Sequence, residues 1–195
     1  LAGLFKPMDQ LKTEPQFLSD LECDWFIRLF DDNPIDHNQD MGNGPDYMAF
    51  TLDLYPLANR LYEVKYLISK LVRFCPIPEA FIEYFQVVRR EVGNELTEHL
   101  DFDDVVYSSI IYLNDTFEGG ETRVGETLIK PARGTIIGFE GAEVRHSVLP
   151  IAGNHRYAIS TWYKTAEFRP DKAAARHVRT PDSTILRRPM FGRTE

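Results

Sequence analysis

Cysteine is scarce in this 195-residue chain: Cys23 and Cys75 are the whole complement. Both lie in apolar patterns, and their spacing excludes a paired-cysteine metal site. Reduced, buried thiols in a reducing, cytoplasmic compartment are the expectation. Long apolar runs are missing too. None approaches the ~20 residues of a membrane span, and no charged, apolar, small-residue series marks a signal peptide, so no membrane partner is expected. Positive charge is in deficit. The 22 Lys+Arg stand against 30 Asp+Glu, a net charge of −8, which disfavours a nucleic-acid partner held by bulk electrostatics. There is no internal repeat and no low-complexity linker.

What is present is an ordinary globular composition, with 43% hydrophobic and 27% charged residues. The length suits one domain over 1–195 with a sizeable core. Charge is uneven along it: residues 164–195 hold eight Lys or Arg and four Asp or Glu. Such a tail can dock on an acidic body or a partner, or stay solvated.

Residues 19–31 read as a helix. Ser19 and Glu22 make a capping box, and Leu21, Trp25, Phe26, Leu29 and Phe30 form an apolar stripe. A second helix is expected over 57–73, with Pro56 at its start and Leu57, Leu61, Val64, Leu67, Ile68 and Leu71 on one side. From about Ala80 the pattern turns to short strands punctuated by glycine: 81–92, 105–113, 123–130, 134–139, 143–149 and 155–164. Helices first and many strands afterwards suggest a β-sandwich or jelly roll with helices packed outside. We divide the chain into a helical N-terminal support over 1–79, a β core over 80–165 and an irregular basic tail over 166–195, in which Pro170, Pro181 and Pro189 fall.

Three polar residues in the β region carry metal chemistry. His99 and Asp101 are two apart, so on a strand they face the same way. By itself that pair also fits a polar strand end at the surface. His146 lies between Val144 and Val148 on one strand face, as a satisfied core histidine or as a ligand. Two imidazoles and one carboxylate close one face of a ferrous ion and leave the other open, the ligand set of non-haem iron oxygenases. Arg156 follows on the next strand, sharing a face with Ala158, Ser160 and Trp162. A buried guanidinium needs an anion, supplied either by an internal acid or by the far carboxylate of a 2-oxoacid co-substrate.

From about Phe85 to Tyr163 the chain resembles the 2-oxoglutarate and iron(II)-dependent dioxygenases of the prolyl 4-hydroxylase-like branch. The resemblance is carried by Gln86-Val87-Val88, His99-Leu100-Asp101, Tyr112-Leu113-Asn114-Asp115, Gly119-Gly120-Glu121-Thr122, Pro131-Ala132-Arg133-Gly134, His146 and Arg156 through Trp162. It implies a double-stranded β-helix, a jelly-roll barrel, with His99, Asp101 and His146 as catalytic metal ligands. It implies that Arg156 pairs with the C5 carboxylate of 2-oxoglutarate, helped by Thr122 and Tyr112, with Ser160 on the same cofactor-binding face. It sets Trp162 near the substrate mouth. Two positions depart from the pattern. Arg90 stands where the family often has a tyrosine near the co-substrate, and we count it with Trp162 on the substrate side. Val105 or Val106 stands where peptidyl-proline hydroxylases carry a substrate-holding arginine.

The implied cofactors are Fe(II), 2-oxoglutarate as co-substrate and O2, with ascorbate as reductant. The implied activity is hydroxylation of an unactivated C–H bond, of a prolyl or other amino-acid residue, with release of succinate and CO2. The carboxylate of Asp101 fills the site that related halogenases leave for chloride. The implied partner is a small-molecule or peptide substrate. Competing readings are a cupin-type metalloenzyme that uses no 2-oxoacid, an inactive metal- and 2-oxoglutarate-binding sensor, and a nucleic-acid demethylase, which the acidic body disfavours.

Overall fold

The structure, a computed structural model, describes residues 11–34, 37–40 and 49–165. The basic tail expected over 166–195 lies outside them. Among the described residues no helix is long and apolar enough to cross a membrane.

The first helix forms where expected. α1 spans Asp20–Asp31, and Ser19 caps it: its hydroxyl accepts the Glu22 N–H while the Glu22 carboxylate accepts the Ser19 N–H at 2.7 Å. α1 buries Cys23, Phe26 and Phe30. The second helix, α2, spans Tyr62–Phe74 and not 57–73. Pro56 sits in a separate 3-10 turn, Tyr55–Leu57, and Leu61 is extended ahead of α2. Proline is tolerated in a first turn of either kind, so it marks a helical start without fixing which one. α2 buries Val64, Leu67, Ile68, Leu71 and Phe74. Cys23 is fully buried, and burial pushes its thiol up to about 11, whereas Cys75 is only half-buried.

The strands are β1 Lys12–Glu14, β2 His37–Asp40, β3 Ala49–Asp53, β4 Phe81–Arg90, β5 Leu96–His99, β6 Tyr107–Tyr112 and β7 Glu118–Gly119. They continue as β8 Thr122–Val124, β9 Thr127–Ile129, β10 Ile136–Phe139, β11 His146–Val148, β12 Ile151–Ala152 and β13 Arg156–Lys164. All pairings are antiparallel in a jelly roll. The large sheet runs β1-β10-β6-β13-β4-β3-β2 and the smaller one β5-β11-β8-β9. The region before residue 80 is therefore not helical alone, since β1, β2 and β3 extend the large sheet. The expected strand 123–130 is instead the hairpin β8–β9. Val124 pairs with Thr127 across a two-residue turn in which Gly125 takes φ +54°.

One face of the large sheet carries the helices. Phe26, Phe30, Leu71 and Phe74 pack on Val87, Ile111, Ile159 and Tyr163. The other face looks toward the smaller sheet, where Tyr112, Val124, Ile137 and Phe139 form a second apolar cluster. Gly134 ties these layers to the N-terminal segment. Its N–H donates to the Tyr112 carbonyl at 2.8 Å and its carbonyl accepts the Leu18 N–H at 3.0 Å, at φ +76°. A Cβ there would collide with the Leu18 carbonyl. Gly134→Ala is expected to cost about 2 kcal/mol or more, a fall in Tm of roughly 4–8 °C by thermal unfolding.

Candidate active site

Strand pairing brings the two histidines together. His146 opens β11 and lies directly opposite His99 at the end of β5, which sets their ring centroids 4.2 Å apart. Asp101 follows two residues later, and its N–H donates to the Gly141 carbonyl at 2.9 Å. Its Oδ2 lies 3.7 Å from His146 Nε2. One ligand atom from each of His99, Asp101 and His146 falls within 4.8 Å of the others, the spacing of donors around one ion.

The donors are prepared for a cation. His99 Nδ1 lies 2.9 Å from the Thr97 carbonyl and His146 Nδ1 lies 3.0 Å from the Val144 carbonyl. A carbonyl can only accept, so each Nδ1 carries the proton and each Nε2 keeps its lone pair for metal. Burial lowers the His146 pKa, outweighing the opposite pull of Asp101 and so favouring the neutral, ligating form. Two neutral imidazoles and a carboxylate fit a non-haem ferrous ion. Val144 does not share the His146 strand, as its alternation with His146 suggested; it lies in the preceding turn with its N–H on the Glu140 carbonyl at 2.9 Å.

Arg156 opens β13 and is 3% exposed. Its Nη2 donates to Thr122 Oγ1 at 3.2 Å, the Tyr112 hydroxyl donates to the same oxygen at 2.8 Å, and the guanidinium carbon stands 5.4 Å from the centroid of the Tyr112 ring. Among the described residues no carboxylate pairs with it, and its Nε is buried without a hydrogen-bond partner. Burial lowers its pKa to about 10, Tyr112 pulls the other way, and Arg90 adds to the fall. A buried cation whose hydrogen-bond partners are neutral, with a second guanidinium across the strand pair, is a fitting seat for a carboxylate. The internal-acid reading of Arg156 finds no support among the described residues.

A cavity of about 590 Å³, counting its open mouth, is lined by His99, Asp101, His146, Thr122, Ser160 and Trp162, and Arg90 also faces it. Arg90 lies opposite Arg156 in the β4–β13 register. Trp162 lies opposite Tyr84 in that register and stacks on it, with centroids 5.9 Å apart and planes at 26°. Seven of the nine residues the sequence nominates line this cavity; Arg156 and Tyr112 do not line it and adjoin it through their hydrogen bonds to Thr122. The structure also adds Ser108, Gly141 and Tyr84. Alternation along β6 places Ser108 on the face of Tyr112, but nothing in its local sequence marks it as a partner of Asp101. Val105 is buried and Val106 donates its N–H to the Tyr163 carbonyl at 2.9 Å, so this stretch serves packing and pairing. His155 stands apart from the cavity and pairs with Glu91 at 3.0 Å.

Comparison with known proteins agrees with this geometry. Residues 85–164 match the sequence pattern of the 2OG-Fe(II) oxygenase superfamily. No curated protein matches the chain. Among solved structures, a viral collagen prolyl hydroxylase from Paramecium Bursaria Chlorella virus-1, in its 2OG complex, is similar at 24% identity and TM-score 0.65, covering 82% of this chain and 97% of that one. A Pseudomonas putida prolyl-4-hydroxylase is similar at 17% identity and TM-score 0.66, covering 80% and 92%. A Trichoplax adhaerens prolyl hydroxylase, in complex with a hypoxia inducible factor peptide fragment, is similar at 16% identity and TM-score 0.65, covering 80% and 84%. These likenesses establish the shared jelly-roll fold.

Proposed function

We propose that the chain, whose residues 85–164 match the 2OG-Fe(II) oxygenase superfamily, is a dioxygenase that uses Fe(II), 2-oxoglutarate and O2 to hydroxylate a C–H bond of a prolyl or other amino-acid residue, in a peptide or a small molecule. The balance is one O2 and one 2-oxoglutarate consumed, one oxygen atom in the hydroxyl product, and the other in succinate formed with CO2. The bound iron, with its co-substrate, supplies the oxidising power.

The residues supply place and polarity. His99, Asp101 and His146 would hold the iron. Arg156, with Thr122 and Tyr112, would hold the far carboxylate of 2-oxoglutarate, with Ser160 on the same wall. Trp162 and Arg90 would face the substrate. Residues 80–165 are the catalytic core in this reading and 1–79 its support. A reducing, cytoplasmic setting suits the unpaired thiols Cys23 and Cys75. The observation that carries the reading is the meeting of the His-Asp-His cluster with a buried guanidinium that lacks an anion.

Purified protein with Fe(II), ascorbate and 2-oxoglutarate is expected to form succinate, faster when the right substrate is added from a panel of peptides and free amino acids. A cupin-type enzyme without a 2-oxoacid would form none, and an inactive sensor would bind 2-oxoglutarate without forming it. Thr122→Val removes the oxygen that both Tyr112 and Arg156 reach. Hydrogen bonds involving charged groups are worth about 1.5–3 kcal/mol, so the KM for 2-oxoglutarate should rise roughly tenfold or more. An unchanged KM would remove Thr122 from the co-substrate seat.

A further inference from the structure

Asp101 is held on every side. Its N–H is bonded to Gly141, the Ser108 hydroxyl donates to its Oδ2 at 2.5 Å, and the Trp162 indole Nε1 donates to its Oδ1 at 3.0 Å. A Cβ on Gly141 would collide with both Asp101 Oδ2 and Ser108 Oγ. These contacts come from β6, from β13 and from the turn before β11. Oδ2 is the oxygen that faces His146 Nε2, at 3.7 Å. Behind this ligand the Trp162 ring stacks on Tyr84, whose hydroxyl donates to Gln86 Oε1 at 3.0 Å. Trp162 and Gln86 both line the cavity.

We propose that Ser108 and Trp162 are positioning residues that present Asp101 to the metal through Oδ2 alone, with Trp162 linking the aromatic wall of the cavity to that ligand. The inference rests on the iron-site reading. A carboxylate free to rotate can grip a cation with both oxygens. In a site where three side chains must leave room for a chelating 2-oxoacid and for dioxygen, a second carboxylate oxygen on the metal would take one of the open positions. The indole N–H engages Oδ1, leaving Oδ2 as the oxygen that faces His146. The serine hydroxyl fixes the plane of the group, and the side-chain space that Gly141 leaves empty admits the carboxylate and this hydroxyl together. The same indole forms part of the cavity wall, so a substrate ring lying against Trp162 bears on a side chain pinned to the metal ligand.

The test uses Mn(II) and Co(II) alone as probes. Their affinities are read by the Mn(II) EPR signal and Co(II) visible absorption, and thermal unfolding of each metal-free protein checks the fold. Trp162→Phe keeps the ring and removes the N–H. Ser108→Ala removes the hydroxyl. Tyr84→Leu removes the stacking partner and leaves the N–H in place. The first two are expected to weaken Mn(II) binding about 10- to 100-fold, as loss of an outer-shell partner does, and Tyr84→Leu by less than ~3-fold. The Co(II) spectrum should change in Trp162→Phe and Ser108→Ala and be retained in Tyr84→Leu. Wild-type affinity and spectrum in Trp162→Phe and Ser108→Ala, with binding still lost in His146→Ala, would overturn the proposal and leave the iron site standing. Equal losses in Trp162→Phe and Tyr84→Leu would overturn it in favour of ring packing. Failure of the wild type to bind either ion would overturn both the proposal and the iron-site reading. If Trp162→Phe does not fold, Ser108→Ala decides.

Discussion

His146→Ala is expected to give a folded protein that takes up no iron and forms no succinate. The imidazole is one of three donors among the described residues, so its removal should exceed the 10- to 100-fold that loss of an outer-shell partner costs in metal affinity or activity. The fold should survive because β11 is held by its backbone. Position 146 pairs with His99 on one side and Val124 on the other, and neither pairing uses the side chain. What is lost besides the donor is packing against Phe139, whose ring centroid lies 4.7 Å away. Burial of the ring and its Nδ1 contact with Val144 serve the neutral tautomer, so a residue of similar size without a lone pair at Nε2 should do no better. Iron content, succinate yield and thermal unfolding together check the result. Wild-type turnover in this variant would remove His146 from the centre.

The ligands were legible in the sequence because their chemistry is local and their order is fixed by strand pairing. His99 and Asp101 are two residues apart, and His146 lies in a β-like run that the fold pairs with the strand ending at His99. The capping box at Ser19 was legible for a similar reason: both halves of the bond lie within four residues. The start of α2 was not. Pro56 fits the first turn of a 3-10 segment as well as that of an α-helix, and only the extended Leu61 separates the two. The strands β1, β2 and β3 were hidden because they are short, three to five residues each, and because β1 pairs with β10, more than a hundred residues away. The cradle of Asp101 is of that kind too. Ser108 looks like any strand serine until β6 comes beside the loop after β5. Gly141 reads as turn punctuation, although the space its missing side chain leaves is what admits the carboxylate.

Arg156→Met should move two quantities in opposite directions. Affinity for 2-oxoglutarate should fall steeply. Truncating one partner of a buried, hydrogen-bonded charge pair costs about 2–5 kcal/mol, which is roughly 30-fold or more in the dissociation constant. Because the contact lies at the far end of the co-substrate and not at the reacting atoms, the KM should carry most of the loss and kcat little of it. Stability of the protein without co-substrate should instead rise. The guanidinium is nearly fully buried with neutral hydrogen-bond partners, and burial lowers its pKa to about 10. A cation whose pKa is depressed on folding opposes folding wherever it is protonated in both states, which includes neutral pH. Stability recovers only as pH climbs above about 10, where the folded state has released a proton that the unfolded chain still holds. Methionine removes the buried charge and keeps an apolar side chain of similar length, so the variant should regain ~1–2 kcal/mol. In the wild type, 2-oxoglutarate should raise the Tm by binding only the folded state; in Arg156→Met that increment should largely vanish while the baseline Tm is higher. Thermal unfolding with and without 2-oxoglutarate reads both effects in one experiment. A variant that is less stable and yet retains the full co-substrate increment would mean that Arg156 is a packing residue and that the carboxylate is bound elsewhere.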